Sequence, residues 1–250
     1  MFKKILFNLL FLSSFSFGFV SLEPPIIGEK EGLNGEVSLG GAYNSGNTDS
    51  AAANFGLKGE YSEKEWMFYT IASYAYGEAN GDKNKNNGLF HLRYIHRIED
   101  TLYDYELFGQ TEFNEFQDVK VRNLAGANIR RKIEGFFDKC YVGVGLFYSY
   151  MEPDQISEVD PVYERVKLNT YLSFSKSVNE HFSVTYLGFY QPNIEEFSDY
   201  RIFQMLQLDT RLTEDLSLGI DFTHKYNATP YHQIEHTDIS SMISLKYKLK

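Results

Sequence analysis

The chain has 250 residues, with 24 Lys and Arg against 34 Asp and Glu and a formal charge of −10 at pH 7. So acidic a chain lacks the basic footprint of a nucleic-acid binder, so no nucleic-acid partner is expected. Its single cysteine, Cys140, excludes an internal disulfide and a cysteine-based metal cluster.

Met1-Phe2-Lys3-Lys4 is a short basic start, followed over residues 5–20 by an apolar stretch interrupted by Asn8, Ser13, Ser14 and Ser16. With Ser21, Glu23, Pro24 and Pro25 just beyond, residues 1–18 read as a secretory signal peptide cleaved after Gly18, a retained membrane helix being the alternative. Losing Lys3 and Lys4 leaves 22 basic residues against 34 acidic, a charge of about −12. Residues 19–33 hold Pro24, Pro25, Gly28 and Gly32 and read as a periplasmic tail, leaving 34–250 as one domain without a plug. Past the leader no apolar run approaches the length of a membrane helix.

From there the chain is a dyad rhythm. Twelve segments alternate apolar and polar residues: 34–44, 51–61, 65–77, 88–98, 102–114, 119–132, 139–150, 162–176, 181–191, 200–211, 215–226 and 238–249. In the fifth, Tyr103, Tyr105, Leu107, Gly109, Thr111 and Phe113 fall on one face. Asp104, Glu106, Gln110, Glu112 and Asn114 fall on the other, with Phe108 as the exception. Successive strand side chains point to opposite faces, so each segment has an apolar and a charged side. A closed barrel in lipid turns the first outward and the second into its lumen. A soluble sandwich is the alternative.

Short connections (62–64, 99–101, 133–138, 177–180, 212–214) alternate with longer ones (45–50, 78–87, 151–161, 192–199, 227–237), while 115–118 is short. An even strand count with that alternation predicts both termini in the periplasm. Aromatic residues gather beside the short turns (Tyr61, Trp66, Phe68, Tyr103, Tyr141, Phe182). A second group lies toward the long loops (Tyr43, Tyr76, Phe113, Tyr148, Phe189, Tyr226), and together these are expected to form two interfacial girdles.

The hairpin Leu39-Gly40-Gly41-Ala42-Tyr43-Asn44-Ser45-Gly46-Asn47-Thr48-Asp49-Ser50 and the C-terminal run through Leu212-Thr213-Glu214-Asp215, Tyr226-Asn227-Ala228-Thr229-Pro230 and Leu245-Lys246-Tyr247-Lys248-Leu249 carry a family likeness. The chain resembles the YdiY-like family of salt-induced outer-membrane proteins, a domain of unknown function. The resemblance implies an outer-membrane β-barrel, in contact with membrane lipid and lipopolysaccharide, and supplies no catalytic residue. Many such barrels end in Phe. Here Leu249-Lys250 closes the chain, yet Ile243, Leu245, Tyr247 and Leu249 still alternate with polar residues as a signal for the barrel-assembly machinery.

Sites for chemistry are sparse. His232, Glu235 and His236 share a loop without a strong metal-ligand spacing. His91 has no nucleophile on the following strand, so a hydrolase is the weakest alternative and no enzyme activity is expected. The run 80–88 has too few carboxylates for a calcium loop. Acidic loop residues (Glu152, Asp154, Glu158 and Asp160; Glu195, Glu196 and Asp199) are candidates for bridging ions to lipopolysaccharide phosphates. No catalytic, cofactor or metal site is expected.

The lumen is the better signal. Its inward set is basic on the fourth segment (His91, Arg93, Arg97), acidic on the fifth (Asp104, Glu106, Glu112) and basic on the sixth (Arg122, Arg130, Lys132). Opposite charges across neighbouring strands attract, so a ladder is expected, with Arg93 or Arg97 facing Asp104 or Glu106. Arg165, Lys167, Lys225, Lys246 and Lys248 are an apparent unpaired excess. The expected protein is an all-β transmembrane barrel of about twelve strands with a charge-laddered lumen, structural or stress-related. The alternative is a channel whose excess cations form a track for small anionic solutes.

Overall fold

The computed structural model describes residues 24–44 and 50–249, so the expected signal peptide lies outside the described residues. Twelve strands follow in order: β1 (Gly32–Asn44), β2 (Ser50–Ser62), β3 (Trp66–Ala79), β4 (Asp82–Arg97), β5 (Tyr103–Asn114), β6 (Val119–Lys132), β7 (Lys139–Glu152), β8 (Tyr163–Ser177), β9 (Phe182–Pro192), β10 (Tyr200–Arg211), β11 (Leu216–Asn227) and β12 (Thr237–Leu249). Each is antiparallel to the next, and β1 pairs with β12 from Gly35↔Leu249 to Gly40↔Ser244, closing the barrel. Closure joins the two outermost strands into a ring, so no strand is left as a free edge, the condition for strands to cross a hydrocarbon layer.

The dyad pattern sorts the two faces as expected. Leu107 is 52% exposed while its neighbour Glu106 is 0% exposed. Phe55, Phe90, Ile129, Val144, Phe222 and Ile243 likewise point outward. An apolar exterior around a polar interior has the reverse sense of a soluble protein and suits lipid.

Strand ends agree with the sequence pattern within about two residues, except at the β3–β4 hairpin. The stretch 78–87, expected as a long loop, instead extends both strands to a tight turn at Asn80 (φ 53°) and Gly81 (φ 88°). Positive φ at both central residues is the hairpin geometry that Asn-Gly favours. Asn86 and Lys83 tie the extension to Glu115, at 2.7 and 2.6 Å. Its polarity on both faces hid it, because a strand that projects beyond the apolar layer has no reason to alternate.

The girdles are partly as expected. Trp66, Phe68 and Tyr94 pack outside β3 and β4 with centroids 5.1–6.1 Å apart, and Tyr200 stacks on Tyr226 at 5.5 Å. Tyr43 lies outside the residues whose side chains are described. Two members are corrected. Tyr141 is buried inside, beneath the Arg130 guanidinium at 4.1 Å. Phe189 also points inward, against Tyr171 at 5.4 Å and Phe203 at 6.2 Å. Both sit at inward positions of their strands, where a ring face receives a cation or fills the lumen.

The tail folds back. Ile27 is buried with Met67 and Ile95, its carbonyl accepts from Arg97 Nη2 at 3.1 Å, and Gly28 N–H donates to Ser62 Oγ at 2.9 Å. Glu29 pairs with Lys139 at 2.6 Å. Residues 24–29 thus form a strap from β2 and β4 across to β7, over the short-turn mouth of the barrel.

Candidate functional site in the lumen

The ladder centres on Glu106. Pairing of β4, β5 and β6 sets Arg97 opposite Asp104, Asp104 opposite Arg130, and Glu106 opposite Asn128. Glu106 takes Arg93 Nη1 at 3.3 Å, Asn128 Nδ2 at 3.0 Å and the Tyr171 hydroxyl at 2.9 Å. Arg130 Nε donates to Asp104 at 2.7 Å and lies 3.9 Å from Glu106. Asn169 on β8 reaches Asn128 on β6 at 3.1 Å. Glycine makes this crossing feasible: Gly143 on β7 faces Tyr171, and a Cβ there would overlap the tyrosine ring. With the ring laid flat on Gly143, its hydroxyl spans from β8 to a carboxylate on β5.

A second device crosses the lumen elsewhere. Tyr69 and Ile71 on β3 pack with Met205 on β10, flanked by Leu89, Leu187 and Phe203. The two strands are far apart around the ring, so their contact is an apolar bridge through the interior. On its other side Lys246 meets Asp209 at 2.5 Å and Asp221 at 3.9 Å, and Gln207 donates to Asp221 at 2.7 Å.

The structure brings Arg93, Asp104, Glu106 and Arg130 together and joins Glu112 to Arg122 at 2.8 Å. His91 lies beside them, with Nδ1 3.1 Å from Gln110 Oε1 and its ring stacked on Phe108. Arg97 faces Asp104 in register but instead pairs with Glu65 at 3.8 Å and caps the strap. The apparent excess is corrected too. Arg165 and Lys167 both hold Asp199, at 3.1 and 3.0 Å, and Lys246 is paired as above. Asp199 is thereby an inward, buried anchor rather than a rim carboxylate, because two cations and the Thr229 hydroxyl (2.6 Å) turn it in. Lys132 is half-buried near the short-turn end, Lys225 lines the lumen, and Lys248 is exposed at the short-turn mouth.

Among the described residues, the lumen holds a cavity of about 270 Å³. It is bounded by Pro24 and Pro25 at the strapped mouth and by Tyr231, Ile234 and His236 toward the long loops. Between them Arg122, Arg201 and Lys225 share the wall with Glu112, Phe108, Phe189 and Phe203. Sequence reasoning passed over Arg201. Its strand carries Phe203 and Met205 inward and Gln204 outward, so the sense of the alternation is locally reversed. Phe108, flagged as an exception in the pattern, is such a lumen-filling ring.

Comparison with known proteins agrees with this architecture. The NanC porin matches with a TM-score of 0.52 at 10% identity, over 85% of this chain and 97% of that one. The KdgM porin matches at 0.47 and 9% identity, over 86% and 99% of the two chains. The translocator domain of autotransporter NalP from Neisseria meningitidis matches at 0.46 and 9% identity, over 88% and 89%. The first of these likenesses shows the fold, an outer-membrane-type β-barrel. No curated protein matches the chain. Residues 37–249 match a family model described as a protein of unknown function, DUF481, which takes in the YdiY-like proteins. With most of its length covered by that match, the chain belongs to the DUF481 family.

Proposed function

We propose that the protein is an outer-membrane barrel of the bacterial envelope whose lumen is narrowed by a charge ladder, with a structural or stress-related role and at most slow passage of small solutes. The observation that carries this reading is the buried Glu106, held at mid-lumen by groups from β4, β6 and β8. Ionised groups taken from water need such partners, and once paired they close space that a wide pore would leave to solvent. The strap over residues 24–29 and the bridge from Tyr69 to Met205 support the same reading.

An anion-preferring channel is the second reading, favoured by a cavity that extends from Pro24 to His236 past Arg122, Arg201 and Lys225. Single-channel recording in planar bilayers, with salts of increasing anion size, separates the two. The laddered barrel gives small, rare conductance steps. Large steady steps with anion selectivity would favour the channel.

A further inference from the structure

Arg201 is the unusual charge of this lumen. On β10 it lies opposite Gln191 of β9 and Asn227 of β11, two neutral amides. Its guanidinium donates to the Met151 thioether at 3.0 Å, and no carboxylate is in ion-pair contact with it among the described residues. Two inward-facing carboxylates are taken. Asp199 is shared by Arg165, Lys167 and Thr229, and Glu112 by Arg122 and Gln110. Of the other acidic groups on the cavity wall, Asp238 accepts from Gln117, and Glu235 is exposed on the loop. A thioether is a weak acceptor, whereas a guanidinium offers five donors in a planar fork that fits a carboxylate. Around it stand Val119, Met151 and Tyr231, packed as an apolar cluster, with Phe189 and Phe203 on the same cavity wall.

We infer that the long-loop end of the cavity is a binding site for a small organic carboxylate, with Arg201 receiving the anionic group and Phe189, Phe203 and Tyr231 flanking an apolar or aromatic body. The whole cavity from Pro24 to His236 holds about 270 Å³, already just below the roughly 300–1,000 Å³ of ligand pockets, and the long-loop end is only part of it, so the occupant is small. The site rests on the narrow-lumen reading, because a wide aqueous pore would hydrate Arg201 and leave little to select a ligand.

The test is calorimetric titration of the full-length barrel, folded in non-ionic detergent, with benzoate and with its neutral analogue benzamide. Benzoate should bind saturably and benzamide at least about tenfold more weakly, as expected when a charge-assisted bond is removed. Arg201→Met should weaken benzoate by a similar factor, whereas Arg131→Met, on the outer face, should leave it unchanged. Equal affinity for the two ligands, absence of saturable benzoate binding, or a folded Arg201→Met barrel that binds like the parent would overturn the site. The ligand comparison needs no variant, so it decides even if Arg201→Met does not fold. Conductance of the same preparation is read separately. Benzoate binding by a highly conducting barrel rejects the narrow lumen, while no binding by a silent one rejects only the site.

Discussion

Glu106 and Arg201 are two charges aimed into one lumen, and the fold serves them in opposite ways. Glu106 receives a guanidinium, an amide and a hydroxyl from three strands, while Arg201 receives a thioether. Removing a charge from water costs several kcal/mol unless partners replace the lost hydration. At Glu106 the barrel meets that cost from within, with three hydrogen-bonding side chains. The long-loop end leaves it open to water or to a ligand. On the proposed reading, the difference separates a region built for closure from one built for contact.

The largest expected effect comes from inverting the better-served charge. Glu106→Lys sets a third cation beside Arg93 and Arg130, and breaking a buried pair typically costs about 3–5 kcal/mol. The thermal midpoint of the gel-mobility shift between folded and boiled barrel should fall clearly. Part of the loss should return when Arg93 or Arg130 is also changed to Glu. An unchanged midpoint with altered ion preference would mean that water screens these charges, and the contrast with Arg201 would vanish.

A smaller effect isolates the geometry beneath Glu106. Gly143→Ala pushes the Tyr171 ring off its seat, and overpacking of this kind costs about 1–3 kcal/mol. If that glycine serves mainly to seat the ring, its substitution should cost far less in a Tyr171→Ala background. Equal costs in both backgrounds would show that Gly143 acts on the β6–β7 packing instead. The strap offers a third probe, read in current rather than stability. Ile27→Asp puts a carboxylate into the apolar seat formed with Met67 and Ile95, so the short-turn mouth should open and conductance steps become more frequent. No change in conductance would mean that the ladder and the bridge alone limit passage.

Much of this was legible in the chain. The alternation gave the strands and the face of nearly every ladder residue, because period two is a direct consequence of the pleat. It failed where the environment ceases to be two-sided. The extension of β3 and β4 is polar on both faces, and Tyr69, Ile71, Phe203 and Met205 are apolar on the inner face. Both departures erase the contrast on which the pattern depends. The pairing of Arg165 and Lys167 with Asp199, and the lack of an ion pair at Arg201 among the described residues, depend on which loop folds over which strand. No local pattern records that.

The smallest effect is expected at Asp138, in the short turn before β7, where a carboxylate meets water rather than the lumen. Lys176 Nζ at 2.9 Å and the Ser177 N–H at 2.6 Å hold its pKa down to about 2, against about 3.9 for a free aspartate. A depressed carboxyl contributes stability above its unfolded pKa and loses it as the pH falls through the folded value. Asp138→Asn should therefore lower the midpoint slightly at pH 7, by less than about 1 kcal/mol for so exposed a pair, with the difference closing between about pH 4 and pH 2. Salt sharpens the contrast with Glu106. At about 1 M the screening length shrinks to about 3 Å, so the Asp138 effect should fade while that of Glu106→Lys persists. If high salt erased both alike, solvent would reach Glu106 as freely as it reaches the turn, and the narrow-lumen reading would fall.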